Sequence, residues 1–92
     1  MRTMTFETIT GQGVTQIEKQ ASQIESSLKS LPGLEVKRMP YIVYHFTEPS
    51  VGKVTQWRIR FYVSKPRGRT RTTWNQVYEA VNSVKAAVYK FL

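Results

Sequence analysis

The 92-residue chain predicts a single α+β domain, residues 1–92, whose elements follow the order β-α-β-β-α. Two stretches carry apolar residues at alternating spacings of three and four, which is typical of amphipathic helices. Three others alternate or are rich in β-branched and aromatic residues, and glycine or proline separates them. This pattern predicts a three-stranded, mainly antiparallel sheet with two helices packed on one face, a truncated ferredoxin-like arrangement.

The first strand is predicted over residues 3–9, where Met4 and Phe6 alternate with polar residues. A Gly-Gln-Gly break follows it. Thr15 and Glu18 then fit the S/T-x-x-E pattern of a helix start, and a Pro-Gly pair ends the helix after about residue 30. One apolar stripe runs along this helix: Val14, Ile17, Ala21, Ile24, Leu28 and Leu31.

A hairpin is predicted next. Residues 41–46 are apolar on both alternating sets, and Pro40 places this strand at an edge or in a bulge because proline cannot donate to a ladder. Residues 48–52 form the turn, and the returning strand covers residues 54–64. Its core-facing residues are Trp57, Ile59, Phe61 and Val63, and its solvent-facing residues are Gln56, Arg58, Arg60, Tyr62 and Ser64.

The second helix is predicted to start at a capping box of Thr73 and Gln76 and to continue almost to the C-terminus. Its stripe is Trp74, Val77, Val81, Val84, Val88 and Phe91. Tyr78 and Tyr89 lie beside this stripe, where they either widen the buried face or join a dimer contact. Helices on both faces of the sheet are the alternative, but they would bury the two arginines of the third strand with few carboxylates to pair them.

The charge of the chain is unevenly distributed. The formal net charge is +8, yet residues 1–33 are neutral overall, and no carboxylate lies between Glu48 and Glu79. Seven cations occupy that interval: Lys53, Arg58, Arg60, Lys65, Arg67, Arg69 and Arg71. Such a block indicates a polyphosphate partner, and the leading hypothesis is a nucleic-acid-binding module for DNA or RNA.

Two candidate nucleic-acid sites follow from this block. The first is the exposed face of the third strand, where Arg58, Arg60 and Tyr62 would hold phosphates and bases, with Tyr41 and His45 as stacking partners. The second is the loop before the second helix, in which free backbone N–H groups add to the cations. Its residues are Lys65, Arg67, Arg69, Arg71, Thr72 and Thr73. A solvated sheet face and a solvated loop are the competing interpretations.

The composition also excludes several chemistries. The chain holds no cysteine, no aspartate and one histidine, so neither a metal site nor another cofactor is expected. No apolar run is long enough to cross a membrane and no secretion signal is recognised, which favours a cytoplasmic protein. Three alternatives stay open: a metal-independent RNA-cleaving protein using His45 and the arginines, a basic scaffold or inhibitor that docks to an acidic protein, and a homodimer formed through the exposed sheet face.

Overall fold

The computed structural model describes residues 3–65 and 71–84, and the backbone of residues 87–91. It confirms the α+β class and both predicted helices, although the second is shorter than predicted. It also adds a short strand before the hairpin and a final strand, neither of which the sequence pattern predicted. In chain order the elements are β1 (Thr3–Thr10), α1 (Val14–Lys29), β2 (Glu35–Arg38), β3 (Ile42–Glu48), β4 (Gly52–Ser64), α2 (Trp74–Asn82) and β5 (Ala87–Phe91).

One antiparallel sheet contains all the strands. The long β4 pairs with β1 on one side and with both β2 and β3 on the other, while β5 pairs with the free edge of β1. The order across the sheet is therefore β5, β1, β4 and then the edge formed by β2 and β3. This is the complete ferredoxin-like order, so the expectation of a truncated, three-stranded sheet was wrong in strand number.

The C-terminal segment is the main correction to the predicted elements. The second helix ends at Asn82, where the Ser83 backbone N–H donates to Glu79 O and the Ser83 hydroxyl donates to Ala80 O. In the last five residues, the few apolar positions fit both the two-residue repeat of a strand and the three-to-four-residue repeat of a helix. Periodicity therefore could not distinguish a strand from a helix. Strand pairing makes this segment a strand, because β1 would have an unpaired backbone edge without β5 beside it.

The two predicted helix starts had different outcomes. At α2 the capping box is confirmed, because Thr73 Oγ1 accepts the Gln76 backbone N–H at 3.2 Å and Gln76 Oε1 accepts the Thr73 N–H at 2.8 Å. At α1 the prediction of a Thr15–Glu18 box was wrong. Gly13 is the N-cap with φ 106°, and no side chain caps this helix. Glycine tolerates this positive φ, so the helix starts before Thr15.

Both helices pack on the same face of the sheet, as predicted, and the core lies between them and the strands. Tyr78 of α2 meets Phe6 edge-on with ring centroids 6.2 Å apart, so it widens the buried face. The fully buried apolar residues are Met4, Phe6, Ile17, Ala21, Ile24, Leu28, Ile59, Phe61, Val63, Val77 and Val81. The face opposite the helices is called the open face below.

A one-residue bulge separates β2 from β3 along the edge. Arg38 pairs with Phe61 and Ile42 pairs with Arg58, so three residues on the edge oppose two on β4. The extra residue lies within positions 39–41, around Pro40, which confirms the bulge that the proline predicted. Side chains alternate between the two faces along a strand, and the bulge adds one residue between β2 and β3. The even-numbered residues of β2 and those of β3 therefore project to opposite faces.

The β3–β4 hairpin extends beyond the rest of the sheet. Pairing between β1 and β4 stops at Thr10 and Trp57, so residues 52–56 of β4 pair with β3 alone. Every residue of β3 is exposed, and the molecule measures 47 × 23 × 20 Å. Residues 42–56 are called the hairpin arm below. Within the described residues, no helix has the length and apolar character to cross a membrane.

Candidate nucleic-acid interface

The strand register brings cations and aromatic rings together on the open face. Glu7 of β1 lies directly opposite Arg60 of β4, and Lys37 of β2 lies opposite Tyr62. Paired residues in an antiparallel sheet project to the same side, and alternate residues of one strand do so as well. The resulting group, called the open-face cluster below, consists of Glu7, Lys37, Tyr44, Arg58, Arg60 and Tyr62.

Glu7 is the centre of this cluster. Its side chain is only 4% exposed, although it lies on the face that no helix covers. The Arg58 Nη1 is 3.4 Å from Glu7 Oε1, and the Arg60 Nη2 and Nε are 3.2 and 3.3 Å from Glu7 Oε2. Two guanidinium groups therefore cover one carboxylate. Together, Glu7, Arg58 and Arg60 keep a net charge of +1, and the Glu7 carboxylate fixes the orientation of both guanidinium groups.

Arg58 is held on several sides. Its Nη2 donates to Gln56 Oε1 at 2.8 Å, and its Cζ lies 4.2 Å from the centroid of the Tyr44 ring. The Arg58 Nε is buried and has no hydrogen-bond partner among the described residues. A guanidinium packed on an aromatic face and bonded to a carboxylate loses much of its rotamer freedom on folding. Arg58 is therefore a rigid part of the surface.

Arg60 is the more accessible of the two arginines. Its side chain is 42% exposed, compared with 29% for Arg58. A side-chain hydrogen bond with Tyr62 and, second, one with Glu7 raise the pKa of Arg60 above its already high ordinary value. The guanidinium is therefore charged at every physiological pH. It presents a fixed cation between the Tyr62 phenol and the buried carboxylate.

A small cavity opens beside these groups. Its volume is about 140 Å³, and its lining consists of Glu7, Met39, Pro40, Ile42, Tyr44, Arg58, Arg60 and Tyr62. Pockets that enclose drug-sized ligands usually measure about 300–1,000 Å³. The cavity is too small to enclose such a ligand, so a larger ligand would lie across the open face rather than inside it.

The structure separates one of the two predicted stacking residues, His45, from the arginines. His45 pairs with Thr55, on the side of the arm opposite Arg58, and its Nδ1 is 3.1 Å from Thr55 Oγ1. Tyr41 lies in the bulge before β3 and is 42% exposed. The bulge is the reason, because it turns odd-numbered β3 residues away from the open face. The RNA-cleaving hypothesis required His45 beside the arginines, and this arrangement does not provide it.

The predicted cations do not share one surface. Lys53 lies near the tip of the arm, opposite Thr47 and on the other face from Arg58. Lys65 lies at the other end of β4, and a rise of ~3.3 Å per residue places it about 40 Å from Lys53. Among the described residues, the predicted cations therefore lie in the open-face cluster in the middle of β4 and separately at the two ends of that strand.

The described residues of the basic loop have individual roles. Lys65 places its Nζ 4.7 Å from the centroid of the Trp74 ring, and Arg71 is exposed. Thr72 is buried and donates its hydroxyl to Pro32 O at 2.7 Å, so this side chain anchors the loop to the α1–β2 turn. Thr73 caps α2, as described above. The predictions for Arg67 and Arg69 lie outside the described residues.

Three members of the cluster were missed by the sequence reasoning: Glu7, Lys37 and Tyr44. Glu7 was assigned to the polar side of the first strand but was not matched with the arginines, because the pairing of β1 with β4 is a tertiary fact. Tyr44 was overlooked because the bulge reverses its face. The turn at residues 48–52 carried a usable signal, since closing the hairpin there places Tyr44 opposite Gln56, two residues from Arg58.

Comparison with known proteins yields a structural likeness but no family. No protein-family model and no curated protein matches the chain. The chain is similar to the solved structure of GlnK from B. subtilis, over 99% of this chain and 84% of that chain, at 13% sequence identity and a TM-score of 0.35.

Proposed function

We propose that this protein is a non-enzymatic nucleic-acid-binding module that holds a single strand of DNA or RNA across its open face. The observation that carries the proposal is the open-face cluster, in which two fixed guanidinium groups lie between two tyrosine rings. Proteins that bind single strands on a sheet combine these two elements, since cations contact phosphates and planar rings stack on bases.

The immobilised arginines support the proposal in a second way. Binding a flexible side chain to a ligand costs rotamer entropy, and Glu7 has already removed much of that freedom from Arg58 and Arg60. The remaining charge of +1 is supplemented by exposed Lys37 on the adjoining β2. Tyr62, directly opposite Lys37, extends the surface toward the end of β4.

The basic loop supplies the remaining phosphate contacts in this proposal. Lys65 and Arg71 lie at its two described ends, and the sequence between them adds Arg67 and Arg69. Such contacts position a strand without reading its sequence, so the loop would contribute affinity and the open face any base preference. A cytoplasmic location is part of the proposal, because a nucleic-acid partner is available there.

The first test is an anisotropy titration of labelled single-stranded and duplex DNA and RNA at two salt concentrations. With about five phosphates contacted, log affinity should fall against log salt with a slope near −3.5 on single strands. Lys37→Gln should reduce that slope by about 0.7, the share of one phosphate. Lys19→Gln removes the same charge from an exposed position on α1, across the molecule, and should leave the slope nearly unchanged.

The outcome of this titration is decisive in both directions. Binding that does not depend on salt, or no binding to any of the four nucleic acids, would overturn the proposal. The basic scaffold that docks to an acidic protein surface would then be the better explanation of the charge. Equal effects of the two lysine variants would retain nucleic-acid binding but remove it from the open face.

The second test concerns stacking on Tyr62. Tyr62→Leu should weaken single-strand binding about tenfold, near the lower end of the range for losing one stacked base. Tyr62→Phe keeps the ring and removes the phenol that bonds to Arg60, so it should retain most of the affinity. If the phenylalanine variant loses as much as the leucine variant, the phenol and not the ring makes the contact, and the stacking assignment fails.

A further inference from the structure

The hairpin arm exposes apolar residues on both of its faces. Ile42, Tyr44 and Phe46 lie on the open-face side at 54%, 36% and 38% exposure, while Val43 lies on the other side at 37%. A strand that is half covered normally alternates apolar and polar residues. The arm does not follow this rule, and the described core covers neither of its faces.

The outer backbone edge of β3 can also pair with another strand. Among the described residues, β3 pairs only with β4, so one edge of a seven-residue strand keeps its backbone donors and acceptors unpaired. Natural proteins protect such edges with charges, prolines or short strands. Pro40 precedes β3 and therefore does not protect its edge. The first charged residue after Pro40 is Glu48, at the end of the strand.

The distribution of charge points to a second copy of this chain as the occupant. Two chains of net charge +8 repel each other over most of their surfaces. Residues 39–47 contain no lysine, arginine or carboxylate, so the arm is where two copies can approach with least repulsion. An acidic partner would instead be drawn to the cationic regions and would gain nothing from a neutral strand.

The geometry of the edge suits such a pairing. An antiparallel contact of β3 with its own copy is self-complementary, because a two-fold axis midway between the two copies of the middle residue, His45, relates the strands. In that register, Ile42 of one copy faces Glu48 of the other. Glu48 then lies two strand spacings, about 9–10 Å, from Arg58 of the other copy, on the same face.

We infer that this protein forms an isologous dimer by antiparallel pairing of β3 with β3 of a second copy, which joins two sheets into one. The exposed apolar surface of the arm is on the order of 400 Å² per copy, about half the area per partner in a standard interface. The dimer therefore forms reversibly and depends on concentration. The inference is independent of the proposed function, although pairing would place two open-face clusters on one side of the joined sheet.

Cysteine crosslinking provides the sharpest test. The chain holds no cysteine, so a single introduced cysteine can form a disulfide only with another copy. Directly opposed residues of an antiparallel pair have Cα atoms about 4.5–5.5 Å apart, within disulfide range. His45→Cys in nucleic-acid-free protein should therefore crosslink efficiently under mild oxidation. Val51→Cys, 71% exposed in the hairpin turn, would lie about 40 Å from its copy and should not.

Sedimentation across a wide range of protein concentration tests the same interface without a disulfide. The unmodified chain should pass from monomer to dimer. Val43→Lys combined with His45→Lys should stay monomeric, because the lysines at position 45 of the two copies would face each other directly. Both positions are exposed on the face away from the open-face cluster, so the circular dichroism should not change. Val51→Lys is the control that should still dimerise. A wild-type monomer at every concentration, a dimer that survives the double lysine variant, open-ended polymers, or equal crosslinking at Val51 would each overturn the inference.

Nucleic-acid titrations separate the two proposals. If the double lysine variant is monomeric but keeps the salt slope of the wild type, both stand as independent properties. If dimerisation fails while binding persists, only the dimer is rejected. If binding fails while the crosslink forms at His45→Cys, only the proposed function is rejected.

Discussion

The two halves of β4 belong to one continuous strand but have different surroundings. From Trp57 to Ser64 the strand pairs on both sides and lies under the helices, so Ile59, Phe61 and Val63 are fully buried. From Gly52 to Gln56 it pairs only with β3. Every residue of β3, its partner there, is exposed. The sequence thus predicts both strands, but burial requires a second element to cover them.

The comparison extends to the charged residues. In the buried half, Glu7 of the neighbouring β1 neutralises part of the charge of Arg58 and Arg60. In the arm, Lys53 and Glu48 lie near the turn, and the register does not pair them with each other. Where strands converge from distant parts of the chain, opposite charges meet and are fixed. Where only a local hairpin forms, they stay at the surface.

Replacing one phenylalanine in the buried half of β4 and one in the hairpin arm should sharpen this contrast most strongly. Phe61→Ala removes a fully buried ring and should lower the free energy of unfolding by about 3–5 kcal/mol. Phe46→Ala, at 38% exposure in the arm, should change it by less than about 1 kcal/mol. Urea denaturation of dilute protein would measure both. Similar losses in the two variants would mean that the arm is covered in the monomer.

Removing the central carboxylate should have a smaller effect. Glu7→Gln keeps the shape of a 4%-exposed side chain but takes away the charge that both arginines share, so stability should fall by about 1–3 kcal/mol. Single-strand affinity should rise, because the cluster gains a positive charge. Glu35→Gln makes the same charge change at an exposed β2 position and should cost less than about 0.5 kcal/mol. A stable Glu7→Gln protein with unchanged affinity would contradict both roles assigned to Glu7.

Local patterns predicted the parts of the fold that depend on neighbours in sequence. The stripe of α1 from Ile17 to Leu28, the capping box at Thr73, the bulge near Pro40 and the core face of β4 were correct, whereas Val14 at the start of the stripe is 43% exposed. They were correct because a helix face, a cap and a proline without an N–H act over a few residues. The start of α1 failed where a glycine with positive φ replaced the expected threonine cap.

The candidate site was predicted less completely than the fold. Alternation along β4 correctly placed Arg58, Arg60 and Tyr62 on one face. The partners that give this face its chemistry come from other strands, and their identity depends on which strand pairs with which and in what register. Glu7 is more than fifty positions from Arg60 in sequence, so no short pattern could join them.

The amino-acid sequence by itself determined that this chain is a basic α+β protein, where β1, β3, β4 and both helices lie, and which residues alternate toward a core. Only the tertiary structure decided that the last segment becomes β5, that Glu7 pairs with the arginines, and that β3 projects as an uncovered arm. The physical reason is that propensity and periodicity act within a few residues, whereas strand pairing and burial depend on free energies between segments that the chain brings together only when it folds.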